Sequence, residues 1–227
     1  MSRIGLIVPS SNTVMEVDFY RNLPNNITLH TDRIYIVNTA IDQQKKMLDN
    51  YLMDAVRDIA TVNPDVVVFG CTSGGTKGGQ GDELKIESRI KSVIQKPVIM
   101  VITAVKETLR KNGFKRISLL TPYTDDLTDK VKKSLENDGF TINQSWGAGI
   151  VSNLETGLIK PKDIINLALS KFSKKNVGDC LFISCTNLRA MEAIDEISKN
   201  LNVPVVTSNK ATLDMAISIC NSVYKMD

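Results

Sequence analysis

Two cysteines stand in matching phrases. Asp65 to Gly75 reads DVVVFGCTSGG, and about 110 residues later Asp179 to Ala190 reads DCLFISCTNLRA. Each copy runs from an aspartate through an apolar stretch to a small residue, then Cys-Thr and a polar side chain. Cys71 and Cys185 therefore form a pair, and thiol chemistry is open to them. A thiolate can add to an electrophilic carbon, or two opposed thiols can move a proton at carbon. The ordinary alternative for either one is a buried small hydrophobe. Recurrence at the ends of two matching apolar runs favours a functional pair. At each site a turn into a helix N-terminus is expected to lower the thiol pKa toward thiolate. Thr72, Ser73, Thr186 and Asn187 follow the cysteines. They can be turn and N-cap residues, or neutral donors for a carboxylate, one set for each end of a diacid. Cys180 and Cys220 read as packed thiols without a role.

Bulk composition narrows the chemistry further. The chain has 227 residues, 42% hydrophobic and 23% charged, which suits an ordinary globular protein. Its net charge of +3 is small, and no basic run is interleaved with aromatics, so no nucleic-acid surface is expected. No apolar run reaches the ~20 residues of a membrane span, and the chain enters a strand at once, which points to a cytoplasmic protein. The four cysteines lack C-x-x-C spacing, and His30 is the one histidine. No metal site, disulfide framework or Cys-His dyad is therefore expected. His30 itself falls in what reads as a polar turn region.

These residues need elements to position them. Ile4 to Val8 is a short, continuously apolar strand, followed by Pro9-Ser10-Ser11-Asn12-Thr13, a turn and helix start. Helix Val14 to Leu23, strand Thr28 to Val37 and one long helix from Asp42 to Val62 come next, then strand Val66 to Phe69. Gly74 to Gly81 has five glycines in eight residues and reads as a loop. Helix Asp82 to Ile94, strand Val98 to Ile102 and helix Thr103 to Asn112 follow, with Gly113 as the stop. Then the grammar restarts. Strand Ile117 to Leu120 ends in Thr121-Pro122-Tyr123-Thr124. Helix Leu127 to Asn137, strand Thr141 to Trp146, a loop from Gly147 to Gly157 and helix Pro161 to Lys171 lead to the second cysteine strand. Helix Arg189 to Asn200, strand Val203 to Val206 and helix Ser208 to Tyr224 close the chain.

Pro9 to Cys71 spans 62 residues and Pro122 to Cys185 spans 63. The spacing predicts a duplicated β-α-β-α unit, hence an α/β fold of two pseudo-symmetric Rossmann-like lobes with parallel sheets. Ligands in such sheets sit beyond the carboxyl ends of the strands. Asn12, Cys71 to Ser73, Tyr123 and Cys185 to Asn187 all follow strands, so the site is expected in the cleft between lobes. The closing helix returns to the first lobe, giving 1–103 plus 207–227 for one lobe and 104–206 for the other.

The layout resembles the aspartate/glutamate racemase superfamily. Within it, GLIVPSSNTVME at Gly5 to Glu16 is most similar to maleate cis-trans isomerases. The resemblance implies two α/β domains, paired cysteines, no cofactor, a small dicarboxylate substrate and a homodimer. It also implies that Asn12, Tyr123 and Asn153 bind substrate carboxylates, with Cys71 as nucleophile and Cys185 as acid/base. From the residues alone, Asn12 can equally be a cap and Tyr123 a packed aromatic. The Thr72-Ser73-Gly74-Gly75 run looks more like arylmalonate decarboxylases, which have the second cysteine only. Amino-acid or hydantoin racemases share both thiols, but glutamate racemases typically place an aspartate where Asn12 stands. The rival from another class is a non-catalytic protein closing two lobes on a small anion.

Overall fold

The computed structural model describes residues 1–36, 38, 40–72 and 80–223. Ser73 and the glycine-rich 74–79 lie outside the described residues. Two four-stranded parallel sheets carry the chain. In the first, β1 (Ser2–Pro9) lies between β2 (Ile27–Ile34) and β3 (Val66–Phe69), and β4 (Val98–Met100) pairs with β3. In the second, β5 (Arg116–Thr121) lies between β6 (Thr141–Gly147) and β7 (Cys180–Ile183), and β8 (Val205–Thr207) pairs with β7. The two orders are the same, as duplication requires. The central strands VVVF and CLFI are buried throughout, which is why they read as unbroken apolar runs.

Helices cover both faces. In chain order they are α1 (Met15–Asn22), α2 (Ile41–Asn50), α3 (Leu52–Ala60), α4 (Gln80–Lys91), α5 (Val101–Lys111), α6 (Asp125–Glu136), α7 (Asn153–Leu158), α8 (Pro161–Lys171), α9 (Ile194–Leu201) and α10 (Ser208–Val223). Leu213, Ala216 and Cys220 of α10 share a core with Ile4, Leu6 and Val8 of β1, while Ile102, Val105 and Leu109 of α5 join the core of the second sheet. Among the described residues, no helix is long and apolar enough to cross a membrane.

Several elements differ from the sequence reading. The helix expected over 42–62 is two, broken at Tyr51 (φ −120°, ψ −18°), whose ring meets Tyr35 edge-on at 5.6 Å. No glycine or proline marks that break, so a tertiary contact accompanies it instead. The strand expected to run to Ile102 ends at Met100, and α5 starts at once. The helix expected from Arg189 begins as a 3-10 turn at Met191–Ala193. His30 lies within β2, its Nε2 3.0 Å from Thr28 Oγ1. The loop expected at 147–157 contains α7. Ser152 caps it, accepting from the Glu155 N–H at 3.3 Å. Ser152-x-x-Glu155 is the capping signature that marks this start in the sequence.

Candidate active site

The carboxyl ends of the two sheets face each other across a small cavity. Pro9, Asn12, Ile36, Cys71 and Thr72 line it from the first lobe, and Tyr123, Asn153, Cys185, Thr186 and Asn187 from the second. It encloses about 20 Å³, room for a water or two. Every described candidate from the sequence is brought together here. None of the described lining residues is charged at neutral pH, so an anion would be held by neutral donors.

Both thiols are buried, each 6% exposed. Gly70 lets the first loop approach the core. A Cβ there would lie 2.8 Å from both Met15 Sδ and Val8 Cγ1, so any larger residue would have to displace these core side chains. On the other side, the Asn187 N–H donates to Cys185 Sγ at 3.3 Å, and the Tyr123 phenol acts on the same sulfur, favouring its thiolate. Burial nevertheless dominates, and pushes the Cys185 thiol up to about 11. This corrects the expectation of a thiolate poised by a helix N-terminus. The chain after Cys185 turns away and begins no helical turn until Met191, so no dipole offsets desolvation at the sulfur. Cys185 therefore holds its proton at neutral pH. Burial also raises the Tyr123 phenol well above its usual range, with Cys185 adding to the effect.

The polar side chains bridge the lobes. Asn12 Oδ1 accepts from the N–H groups of Val14 and Met15, both at 3.0 Å, and so holds the turn that enters α1. Its Nδ2 donates to Thr186 Oγ1 at 3.1 Å, and that hydroxyl donates to the Gly70 carbonyl at 3.1 Å. Asn187 Oδ1 accepts the Thr13 N–H at 2.7 Å, while its Nδ2 donates to the Asn153 carbonyl at 2.6 Å. Asn153 Nδ2 donates to Ser11 Oγ at 2.9 Å. Each amide nitrogen has a second N–H, so Asn12 and Asn153 keep a donor for a ligand.

Sequence reasoning missed the residues that hold these in place. Arg33, at the end of β2, donates to the Ser10 and Asn12 carbonyls and pairs with Glu16 at 2.9 Å. Ser208 Oγ accepts from the Cys185 N–H at 3.2 Å and from Thr72 Oγ1 at 3.4 Å. Ser208 follows β8 directly, so the rule that ligands gather beyond strand ends pointed to it. Cys180 and Cys220 are core thiols, pushed up to about 12 and about 11, chiefly by burial.

Residues 4–223 match the arylmalonate decarboxylase family. The chain belongs to that family. Among individual relatives, a maleate isomerase of Geobacillus stearothermophilus is 27% identical over 224 residues, covering 93% of this chain and 88% of that protein. A maleate isomerase of Alcaligenes faecalis is 25% identical over 219 residues, covering 91% of this chain and 86% of that one. Among solved structures, a cysteine-to-serine variant of Nocardia farcinica maleate cis-trans isomerase with a covalently bound succinylcysteine intermediate superposes with a TM-score of 0.89. It is 24% identical and covers 97% of this chain and 93% of that one. This family member thus shares its two-lobed fold with a maleate isomerase along nearly the whole chain.

Proposed function

We propose that this protein converts a small cis-alkene dicarboxylate of the maleate type to its trans isomer, without a cofactor. The observation that carries the reading is the pairing of two buried thiols, Cys71 and Cys185, from opposite lobes in one cavity lined by neutral polar groups. The curated relatives named above as maleate isomerases support it. So does the succinylcysteine of the Nocardia farcinica protein, which is what addition of a thiol to maleate leaves.

In this reading the Cys71 thiolate adds to one alkene carbon, and the electron pair of the double bond moves to the adjacent carbon and its carboxylate. Cys185, a thiol at neutral pH, gives that carbon its proton, leaving a single bond that rotates. The Cys185 thiolate then takes the proton back, the carbon–sulfur bond breaks onto Cys71, and the trans diacid leaves. Asn12, Tyr123 and Asn153 are assigned to the carboxylates, where donors stabilise the enediolate charge. Thr72, Ser73, Thr186 and Asn187 are assigned to the same anion-binding wall. Asn187 and Thr186 contribute chiefly by holding the lobes together, since their side chains are spent on bridges. A four-carbon diacid exceeds the present cavity, so binding replaces part of the Asn12–Thr186 and Asn153–Ser11 bonding.

The same proposal takes residues 1–103 with 207–227 as one lobe and 104–206 as the other, supported by the packing of α10 on β1. It takes the active form as a cytoplasmic homodimer. The family match favours one second reading, decarboxylation of an arylmalonate, which would need Cys185 alone to deliver a proton.

Proton NMR of maleate incubated with the wild type, Cys71→Ser and Cys185→Ser decides between them. Fumarate from the wild type alone supports the isomerase. Untouched maleate overturns it, and arylmalonate turnover surviving Cys71→Ser would install the decarboxylase.

A further inference from the structure

Ser208 lies between the two cysteine loops and belongs to neither. It is fully buried at the junction of β8 and α10. Its hydroxyl oxygen accepts the Cys185 backbone N–H at 3.2 Å and the Thr72 hydroxyl at 3.4 Å. The Tyr123 phenol comes next, acted on by the Thr72 hydroxyl on one side and by Cys185 Sγ on the other. These links close a ring: Cys185 N–H, Ser208 Oγ, Thr72 Oγ1, Tyr123 Oη, Cys185 Sγ. Strands β3, β5, β7 and β8 each contribute a member from just beyond their carboxyl ends. Ser208 is the member that joins the Cys185 main chain to the hydroxyls serving its side chain.

We propose that Ser208 is a positioning residue for Cys185, orienting the Thr72 and Tyr123 hydroxyls so that a proton donor always faces the Cys185 sulfur when it becomes a thiolate. Its catalytic meaning rests on the isomerisation proposed above, in which Cys185 gives up and recovers one proton. No proton need leave the ring members for this. Each hydroxyl keeps its own hydrogen and turns about its C–O bond. With Cys185 as thiolate, Tyr123 donates to sulfur, Thr72 to Tyr123, and Ser208 to Thr72. With Cys185 as thiol, Thr72 donates back to Ser208, the sense its present geometry favours. Ser208 can reverse because its position is pinned by the Cys185 N–H and not by its own hydrogen. Among the described residues, the titratable groups acting on Cys185 are Tyr123 and Cys71. In a buried site with no cation among its described lining residues, hydroxyl donors are what these elements offer the thiolate.

The test reads the Cys185 thiolate directly and needs no substrate. Iodoacetamide alkylation of the full chain is followed over about pH 7 to 10, with mass spectrometry resolving Cys185 from Cys71. Below a thiol's pKa the rate tracks its thiolate fraction. Ser208→Ala is expected to slow Cys185 alkylation roughly 3- to 10-fold at each pH while leaving Cys71 unchanged. A change in access alone would move both cysteines together and would overturn the proposal. Thr212→Val is the control. It removes a bond to the Ser208 carbonyl at 2.8 Å without touching the ring, and Cys185 alkylation is expected to keep its wild-type rate. If Ser208→Ala does not fold, Thr72→Val cuts the ring on its other side and is expected to slow Cys185 alone. An unmoved Cys185 profile in the folded variant overturns the proposal whether or not maleate is a substrate. Failure of maleate turnover in the wild type overturns only the isomerase reading.

Discussion

The Thr13 backbone N–H donates to Asn187 Oδ1 at 2.7 Å, across the boundary between the two sheets. The same amide donates to the Asn153 carbonyl at 2.6 Å, so one side chain ties the α1 approach, the α7 start and the Cys185 loop together. Asn187→Ala would take a partner from the part-buried Thr13 N–H and from the buried Asn153 carbonyl. A loss of about 1–3 kcal/mol is expected, chiefly from the buried carbonyl. Urea denaturation measures it, and a loss below about 0.5 kcal/mol would remove Asn187 from the seam.

Asn12 separates two jobs on one side chain. Its oxygen takes the Val14 and Met15 N–H groups at the entry to α1, and its nitrogen reaches Thr186. Asn12→Asp keeps that oxygen but places an anion where an anion is proposed to bind. Asn12→Ala loses both bonds to the turn, a cost of about 1 kcal/mol. The aspartate variant is expected to be the more stable of the two and at least tenfold weaker in kcat/KM for maleate than the wild type. The reverse ranking in melting temperature would mean that the two bonds to the turn do not matter.

Asp18 on α1 is buried, and burial raises its pKa from 3.8 to about 6 against the opposing hydrogen bond from Asn209. The folded protein then binds the proton more tightly than the unfolded chain between about pH 4 and 6. Stability is expected to fall as pH rises through that window, by up to about 3 kcal/mol. Asn209 Oδ1 is buried with no hydrogen-bond partner. Asp18→Asn removes the buried charge and supplies that oxygen with a donor, so it is expected to flatten the slope and stabilise the protein by about 1–2 kcal/mol at neutral pH. Denaturation curves across that range decide it, and parallel slopes for the two proteins would refute the assignment.

Gly157 lies in α7 against the seam. A Cβ there would sit 2.4 Å from Thr13 Oγ1 and 3.2 Å from Asn187 Oδ1. Gly157→Ala must therefore displace the Thr13 hydroxyl and crowd the Asn187 amide, straining the seam beside Asn153. A loss of about 1–3 kcal/mol is expected, with KM for maleate rising more than kcat falls. Wild-type melting and kinetics together would show that the seam tolerates the shift.

Sequence alone determined the architecture and the meeting place of the candidate residues. Apolar runs and their breakers act locally, so DVVVFGCT and DCLFISCT announced two buried parallel strands, and the strand-end rule placed Asn12, Cys71, Tyr123 and Cys185 in one cleft. Gly113 also read true, since its φ of +71° is a backbone demand only glycine meets cheaply. Tertiary structure decided what depends on distant neighbours. The helix break at Tyr51 accompanies a ring contact with Tyr35, and the protonated state of Cys185 follows from desolvation by both lobes. Ser208, Arg33 and Gly157 gained their places from atoms far away in the chain. Asn187 read as a ligand donor from its position, and Asn12 and Asn153 from the family resemblance, yet much of their hydrogen bonding is spent within the seam between the lobes. Which partner satisfies a buried amide is fixed by packing, because its energy depends on what else is excluded from water around it.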